Sequence, residues 1–332
     1  MKKRTLALLV CALLLFAACG SPAPAPTPPS GTPDPTPPPA ETVRMIMATG
    51  GTAGTYYPLG GAMAAVINDN TNMQFTIEAT GASAANIRHL EAGDAHVALA
   101  QNDVMYFAFN AVEIWEEHEP VPSLATLMTL YPETVQIVVL ADSGIYSVED
   151  LAGNRVSVGA VGSGVMANAR QVLAAHGLSF DDITEFNLGF GDSANEMRDG
   201  NLDAFFVTAA TPNPAIMELA TARDLRILSI DDERAAALMA DFPFYSRVTV
   251  TSDDYSWLAE PVYTLAVMAT LVATVDLDEQ LAYDIVKALI ENSADIGHAR
   301  GADISVENAV QSISVEFHPG ARRFFEEIGA LS

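Results

Sequence analysis

The 332-residue sequence predicts an α/β protein built from two lobes of similar plan, with a ligand cleft between them. Three observations carry this. Short apolar runs alternate with helical stretches in β-α-β order, which implies parallel strands joined by helical crossovers. The alternation occurs twice, and "ANIRHLEAGDAHVALA" (85–100) is echoed by "ANEMRDGNLDAFFVTA" (194–209), each running Ala-Asn, helix, glycine, acid, buried strand. The strand-to-helix junctions of both rounds are rich in Gly, Ser and Thr.

In the first round, "VRMIMAT" (43–49) reads as a strand, followed by a glycine-threonine turn and by "YPLGGAMAAVINDN" as a helix ending near Asn68. "QFTIEAT" (74–80) is a second strand. "GASAANIRHLEAG" turns at Gly81, offers Ser83 as a helix N-cap and stops at Gly93, a residue suited to the left-handed C-cap conformation. "AHVALAQ" (95–101) is a third strand.

The second round opens on "SVEDLAG" (147–153) as a short helix and "RVSVGA" (155–160) as a strand. "GSGVMANARQVLAAHG" (162–177) is a turn and a helix closed by Gly177. "ITEFNL" (183–188), "DSANEMRDG" (192–200) and "DAFFVTA" (203–209) complete it as strand, helix and strand. An extended run, "TVQIVVLADSG" (134–144), leads from the first lobe to the second. The chain returns near "VYTLAVMATLVAT" (262–274), a buried strand pair or helix that is too short and too closely bounded by acid for a membrane span. Two tail helices, within 278–299 and 319–331, pack on the first lobe. The lobes are therefore residues 43–138 with 263–332, and 139–262, and the two crossings between them form a two-strand hinge.

The N-terminus reads differently. Lys2, Lys3 and Arg4 precede an apolar stretch from Thr5 to Ala18, the pattern of a secretory signal over residues 1–18. Phe16-Ala17-Ala18-Cys19 resembles a bacterial lipobox, with Phe16 where Leu is usual. In that reading Cys19 is acylated and becomes the mature terminus; the plain alternative is secretion with Cys19 discarded. Residues 19–42 form a proline-rich tether, since ten of the chain's 19 prolines fall in 21–42. Such a segment favours polyproline II and reaches on the order of 65 Å at about 3.1 Å per residue. Cys11 and Cys19 are the only cysteines. Loss of the signal leaves no disulfide, and the core alone must hold the fold. The expected location is extracytoplasmic, on the outer face of a bacterial cytoplasmic membrane, with the lipid as the only membrane contact.

The formal net charge is −26, and since three of the few basic residues are Lys2, Lys3 and Arg4, the folded body is at least as acidic. That field repels nucleic acid and anionic lipid. A small anion is then captured at close range or not at all.

The junctions supply such a grip. Ligands of open parallel sheets sit beyond the carboxyl ends of the strands, where Gly51, Thr52, Ala53, Gly54 and Thr55 lie. A helix start offers unpaired N–H groups and a partial positive charge, glycine admits close backbone approach, and threonine adds hydroxyls. Together these suit a carboxylate or phosphate. A tight turn without a ligand explains one such junction equally well. Three, however, occur: the first, Thr80-Gly81-Ser83 after the second strand, and Gly162-Ser163-Gly164 in the second lobe. Successive helical residues point about 100° apart, so Tyr56 and Tyr57 do not share one task, and Tyr56 is the one taken to face the ligand. Gln101 and Asn102 end the third strand as candidate hydrogen-bonding groups, and Asp103 is a candidate for an ammonium; a turn cap explains all three as well.

Catalytic and metal-binding patterns are missing from the sequence. There is no Gly-Lys-Ser/Thr P-loop, "GAVGSGV" lacks the G-x-S-x-G spacing, and the six histidines include no HExxH. No nucleophile–base–orienter set emerges, and neither a metal nor a cofactor is expected.

"TGGTAGTYYPLGGAMAAVIN", "ATGASAANIRHLEAGDAHVALAQND", "LYPETVQIVVLADSGIYSVEDLAGNRVSVGAVGSG" and "HPGARRFFEE" together resemble the TAXI family, the extracytoplasmic solute receptors of tripartite ATP-independent periplasmic (TRAP) transporters. The similarity runs in order through nearly all of residues 43–332. Ala53 stands where the family often has glycine, and "TPN" (211–213) where a glycine-containing turn before proline is common. The resemblance implies a type II periplasmic-binding-protein-like fold. It further implies a receptor, not an enzyme, that closes on a small carboxylate or amino acid such as glutamate and delivers it to an ion-gradient-driven TRAP permease. It places the three junctions in the site, with Gln101 and Thr211 behind them. Two alternatives stay open: a receptor of the same fold that feeds a signalling partner, and an enzyme on the bilobal fold.

Overall fold

A computed structural model describes residues 41–331. The leader, the lipobox cysteine and almost all of the tether lie outside the described residues.

The first lobe begins with β1 (Val43–Ala48), α1 (Tyr56–Asn70), β2 (Met73–Glu78), α2 (Ser83–Ala92), β3 (Val97–Gln101) and α3 (Asn102–Asn110). β1 lies between β2 and β3 and is parallel to both, as helical crossovers require. The apolar run of β3 alternates across the sheet. Val97 and Leu99 join a core with α1, while Ala98 and Ala100 join one with α2 and α3. Gly93 takes the left-handed C-cap (φ 74°) and its N–H bonds back to the last turn of α2.

β4 (Leu124–Leu140) follows as a single strand of 17 residues. The second lobe adds β5 (Arg155–Ser157), α4 (Gly164–Ala175), β6 (Thr184–Phe186), α5 (Phe190–Arg198) and β7 (Ala204–Ala209), with β5 parallel to both β6 and β7. It is completed by α6 (Pro214–Ala220), β8 (Leu225–Leu228), α7 (Asp232–Asp241) and β9 (Ser246–Val250). The chain then re-enters the first lobe along β10 (Val262–Thr274) and ends with α8 (Glu279–Glu291), α9 (Val306–Ala309) and α10 (Pro319–Glu327). Ile285, Leu289, Phe324 and Phe325 of α8 and α10 pack into the first-lobe core, as expected for the tail helices.

The strand order is β2-β1-β3-β10-β4-β7-β5-β6, with β8 on β4 and β9 on β10. β4 and β10 are antiparallel neighbours from Leu124 to Thr134 and from Ala266 to Thr274. Past Thr134, β4 takes β7 on one side and β8 on the other. Before Ala266, β10 takes β9. Two strands thus pass continuously through both lobes and change partners midway. The extended join begins ten residues earlier than the sequence indicated, and residues 262–274 form one strand where a strand pair or helix was expected. "SVEDLAG" shrinks to a single 3-10 turn, Glu149–Leu151.

Candidate functional site

Four helices start at one hollow between the lobes. α1 and α2 come from the first lobe, α4 and α5 from the second. An outer chamber of about 230 Å³ is lined by Gly51, Thr52, Ala53, Gly54, Thr80, Gly81 and Ala82 on one side. Ala160, Ser163, Val165 and the start of α5, Gly189 to Asp192, line the other. An inner chamber of about 50 Å³ lies among Thr55, Tyr56, Ser83, Gln101, Glu133, Gly164 and Thr208. Both chambers touch Gly51, Gly54, Ala82, Val165 and Phe190, so they form one continuous hollow.

Three of these four helix starts, those of α1, α2 and α5, lack a side-chain cap. Only α4 is capped, by the Ser163 hydroxyl, which accepts from Met166 N at 3.3 Å. Four partial positive charges therefore converge. No Lys, Arg or His lines either chamber.

Local bonding fixes the walls. Asn86, fully buried on α2, donates through Nδ2 to the Leu99 carbonyl (2.7 Å) and to the Thr49 carbonyl, tying the ends of β1 and β3 together. Thr80 Oγ1 donates to the Thr49 carbonyl (3.0 Å) and accepts from Ala82 N (3.0 Å). The hydroxyl expected to face a ligand is thereby committed to the turn. Ser83 is the first residue of α2, not its cap: its Oγ accepts from Gln101 N (3.1 Å) across to β3. The cap position falls on Ala82 at φ 72°, ψ −146°. Non-glycine residues seldom adopt that backbone region, and such strain concentrates at functional sites.

The lobes meet closely around the hollow. Ala84 N donates to the Gly162 carbonyl at 3.0 Å, from α2 to the turn before α4. Gly164 lies so near the Gln101 carboxamide that a Cβ there would collide with it. Beside the hollow, Asn168 Nδ2 on α4 donates to Asp103 Oδ2 (2.8 Å) on α3 and approaches Tyr245 Oη (2.9 Å), whose hydroxyl donates to Gln171 Oε1 (2.7 Å).

The inner chamber contains an unusual acid. Glu133 of β4 is 2% exposed, and the Tyr56 hydroxyl donates to its Oε2 at 2.6 Å. Burial pushes its carboxyl up to about 8, and Asp103 adds to this, while the hydrogen bond from Tyr56 pulls the other way. Asp103 is raised to about 6 by burial, against the Asn168 hydrogen bond. In the same chamber, Gln101 Oε1 and Thr208 Oγ1 are buried without a hydrogen-bond partner.

Of the residues singled out in the sequence, the hollow brings together Gly51, Thr52, Ala53, Gly54, Thr55, Tyr56, Thr80, Gly81, Ser83, Gln101, Ser163 and Gly164. Tyr56 points inward and Tyr57 is exposed. Two residues lie elsewhere. Gly162 is spent on the interlobe bond to Ala84, and Thr211 lines neither chamber, its Oγ1 donating to Asp254 Oδ1 at 3.0 Å. Asn102 and Asp103 open α3 and do not line the hollow; Asn102 bonds the Ser312 carbonyl and Met268 N. Sequence reasoning missed Glu133, Thr208, Val165 and Phe190. Glu133 carried a visible signal, the one charged residue in a strand of 17.

Two α/β lobes joined by a pair of through-running strands and shut over one hollow define a bilobal periplasmic binding protein fold. Similar architectures occur in BugD, a periplasmic binding protein (TM-score 0.55, 11% identity, 88% of this chain and 99% of that one). The alkanesulfonate-binding protein SsuA of Xanthomonas axonopodis pv. citri, solved with MOPS bound, is another (TM-score 0.52, 15% identity, 86% and 84% covered). Residues 47–329 match the NMT1-like family, and the chain belongs to it. Among the described residues, no helix is long and apolar enough to cross a membrane.

Proposed function

We propose that this chain is an extracytoplasmic solute receptor that binds a small carboxylate or amino acid, glutamate-like in character, in the interlobe hollow and delivers it to an ion-gradient-driven TRAP permease. One observation supports this above others: four helix starts, two from each lobe, open on a single chamber. An anion held there touches both lobes only when they are shut, so binding shifts the population toward the shut form. The lobes are taken as residues 43–138 with 263–332, and 139–262, bending where β4 and β10 change partners. Gly51 to Tyr56, Gly81, Ser83, Gln101, Ser163 and Gly164 are the binding groups, with Thr80 shaping the turn beside them, and lipidated Cys19 holds the receptor to the outer face of the membrane. The TAXI resemblance supplies the TRAP assignment, and SsuA, named for alkanesulfonate, lends support to an anionic headgroup in such a fold.

Native mass spectrometry of the protein as purified from its host tests this reading. The expected outcome is a 1:1 complex with a small organic acid or amino acid that survives incubation unchanged. A co-purifying molecule without an acidic group, or its conversion to product, would overturn the reading.

A further inference from the structure

The hollow is chemically lopsided. Its outer chamber presents backbone N–H groups and helix dipoles, which favour negative charge, with one acid, Asp192, on the α5 side. Its inner chamber, bordered by the starts of α1, α2 and α4 as well, adds acceptor oxygens and an acid. Glu133, Gln101 Oε1 and Thr208 Oγ1 are three oxygen acceptors around about 50 Å³, and two of them are buried with no partner. Unpartnered buried polar atoms are costly and rare. No cationic side chain lines the chamber, so nothing in the protein neutralises Glu133. The groups that face it are the Tyr56 hydroxyl on α1, Tyr131 on its own strand and Asp103 at the start of α3, none of them positive. A tetrahedral ammonium brings three N–H donors and one positive charge, which matches three acceptors and one acid.

We propose that Glu133, Gln101 and Thr208 form a subsite for the ligand's amino group, so that the receptor selects zwitterionic amino acids over the corresponding 2-oxo acids. This rests on the receptor function proposed above and specifies the substrate class of that same site. The carboxylate lies at the helix mouths and the ammonium points inward to β4. Glu133 determines specificity by supplying the counter-charge. In the shut site burial raises its carboxyl to about 8. Arrival of the cation favours the carboxylate, and the proton leaves to solvent. Binding of the amine at pH 7 is therefore accompanied by proton release, which an uncharged oxo group does not evoke.

The test is a thermal-shift panel on the intact protein, using the twenty amino acids and their 2-oxo counterparts. Titration calorimetry of the hits at pH 7, in two buffers of different ionisation enthalpy, then counts protons. The expected result is at least one amino acid hit, a 2-oxo partner bound roughly 10- to 100-fold more weakly, and proton release that depends on the amino group. Glu133→Gln should abolish the release and narrow the preference for the amine by a similar factor. Thr208→Val, which leaves the acid in place, should weaken the amino acid while retaining proton release. Equal affinity for an amino acid and its 2-oxo partner, or an unchanged preference in Glu133→Gln, would overturn the subsite and leave the receptor function standing. A panel in which no amino acid binds would likewise overturn the subsite, while the native mass spectrometry above decides the receptor function.

Discussion

At the scale of single residues, two buried carboxyls set how stability responds to pH. Glu133, raised to about 8, and Asp103, raised to about 6, each bind a proton more tightly folded than unfolded. Their effect on the unliganded protein is least costly below about pH 4, where both states are protonated. Stability is then lost as pH rises through 6 and on to 8, with a slope of up to about 1.4 kcal/mol per pH unit for each group. Asp203 works the other way: its ion pair with Arg155 holds its carboxyl below the usual range and is lost in acid. Calorimetric unfolding from pH 5 to 9 should show wild-type stability falling between pH 6 and 8, and Glu133→Gln should flatten that fall. An identical slope in the variant would show that Glu133 ionises as freely folded as unfolded. Such behaviour was only half legible in the sequence. The one charged residue of a long strand is visible, but its burial depends on β10 lying across β4, and that pairing joins residues more than a hundred positions apart.

At the scale of elements, the helix mouths were the legible part. Glycine, serine and threonine between a strand and a helix announce an open N-terminus, and residues of all three predicted junctions line the hollow. The fourth, at Gly189 and Phe190, was missed because the helix was expected to begin only at Asp192. Its cap is a glycine without a side-chain acceptor, so no polar signature marks it. The Ser83 cap failed for a related reason. Serine is a good capping residue, but here its hydroxyl serves β3, and the turn places Ala82 at the cap. Gly164 allows a direct test of closure. It begins α4 without a left-handed backbone, so alanine suits the isolated helix, and the obstacle is the Gln101 carboxamide of the other lobe. Gly164→Ala should leave the melting temperature of the empty protein almost unchanged and weaken ligand binding by about 1–3 kcal/mol through overpacking of the shut form. An unaffected dissociation constant would mean that the two residues do not meet when ligand is bound.

At the scale of the whole molecule, the two-lobe plan and its two crossings could be read from the sequence, whereas the continuity of the strands that make them could not. An apolar run of this kind fits a strand pair or a helix, and periodicity alone does not separate them. Nor does it show that one strand serves two sheets' worth of partners. We propose that the lobes bend about Thr134 and Ala266, where pairing changes while neither strand is interrupted. Small-angle scattering should therefore report a smaller radius of gyration with saturating ligand than without. Thermal unfolding should show a gain of about 2.7 kcal/mol at a hundredfold excess over the dissociation constant. Scattering curves that superimpose with and without ligand would rule out closure as the response to binding.

The shared strands also limit how such a molecule can be divided. β4 gives its opening stretch to one lobe and its closing stretch to the other, and β10 does the same in reverse. Neither half owns a finished sheet. A gene fragment encoding one of them would yield a piece with a row of bare amides along the torn seam. The halves are heritable only as a pair: recombination is free to exchange loops around the rim, and it has no place to cut between the lobes.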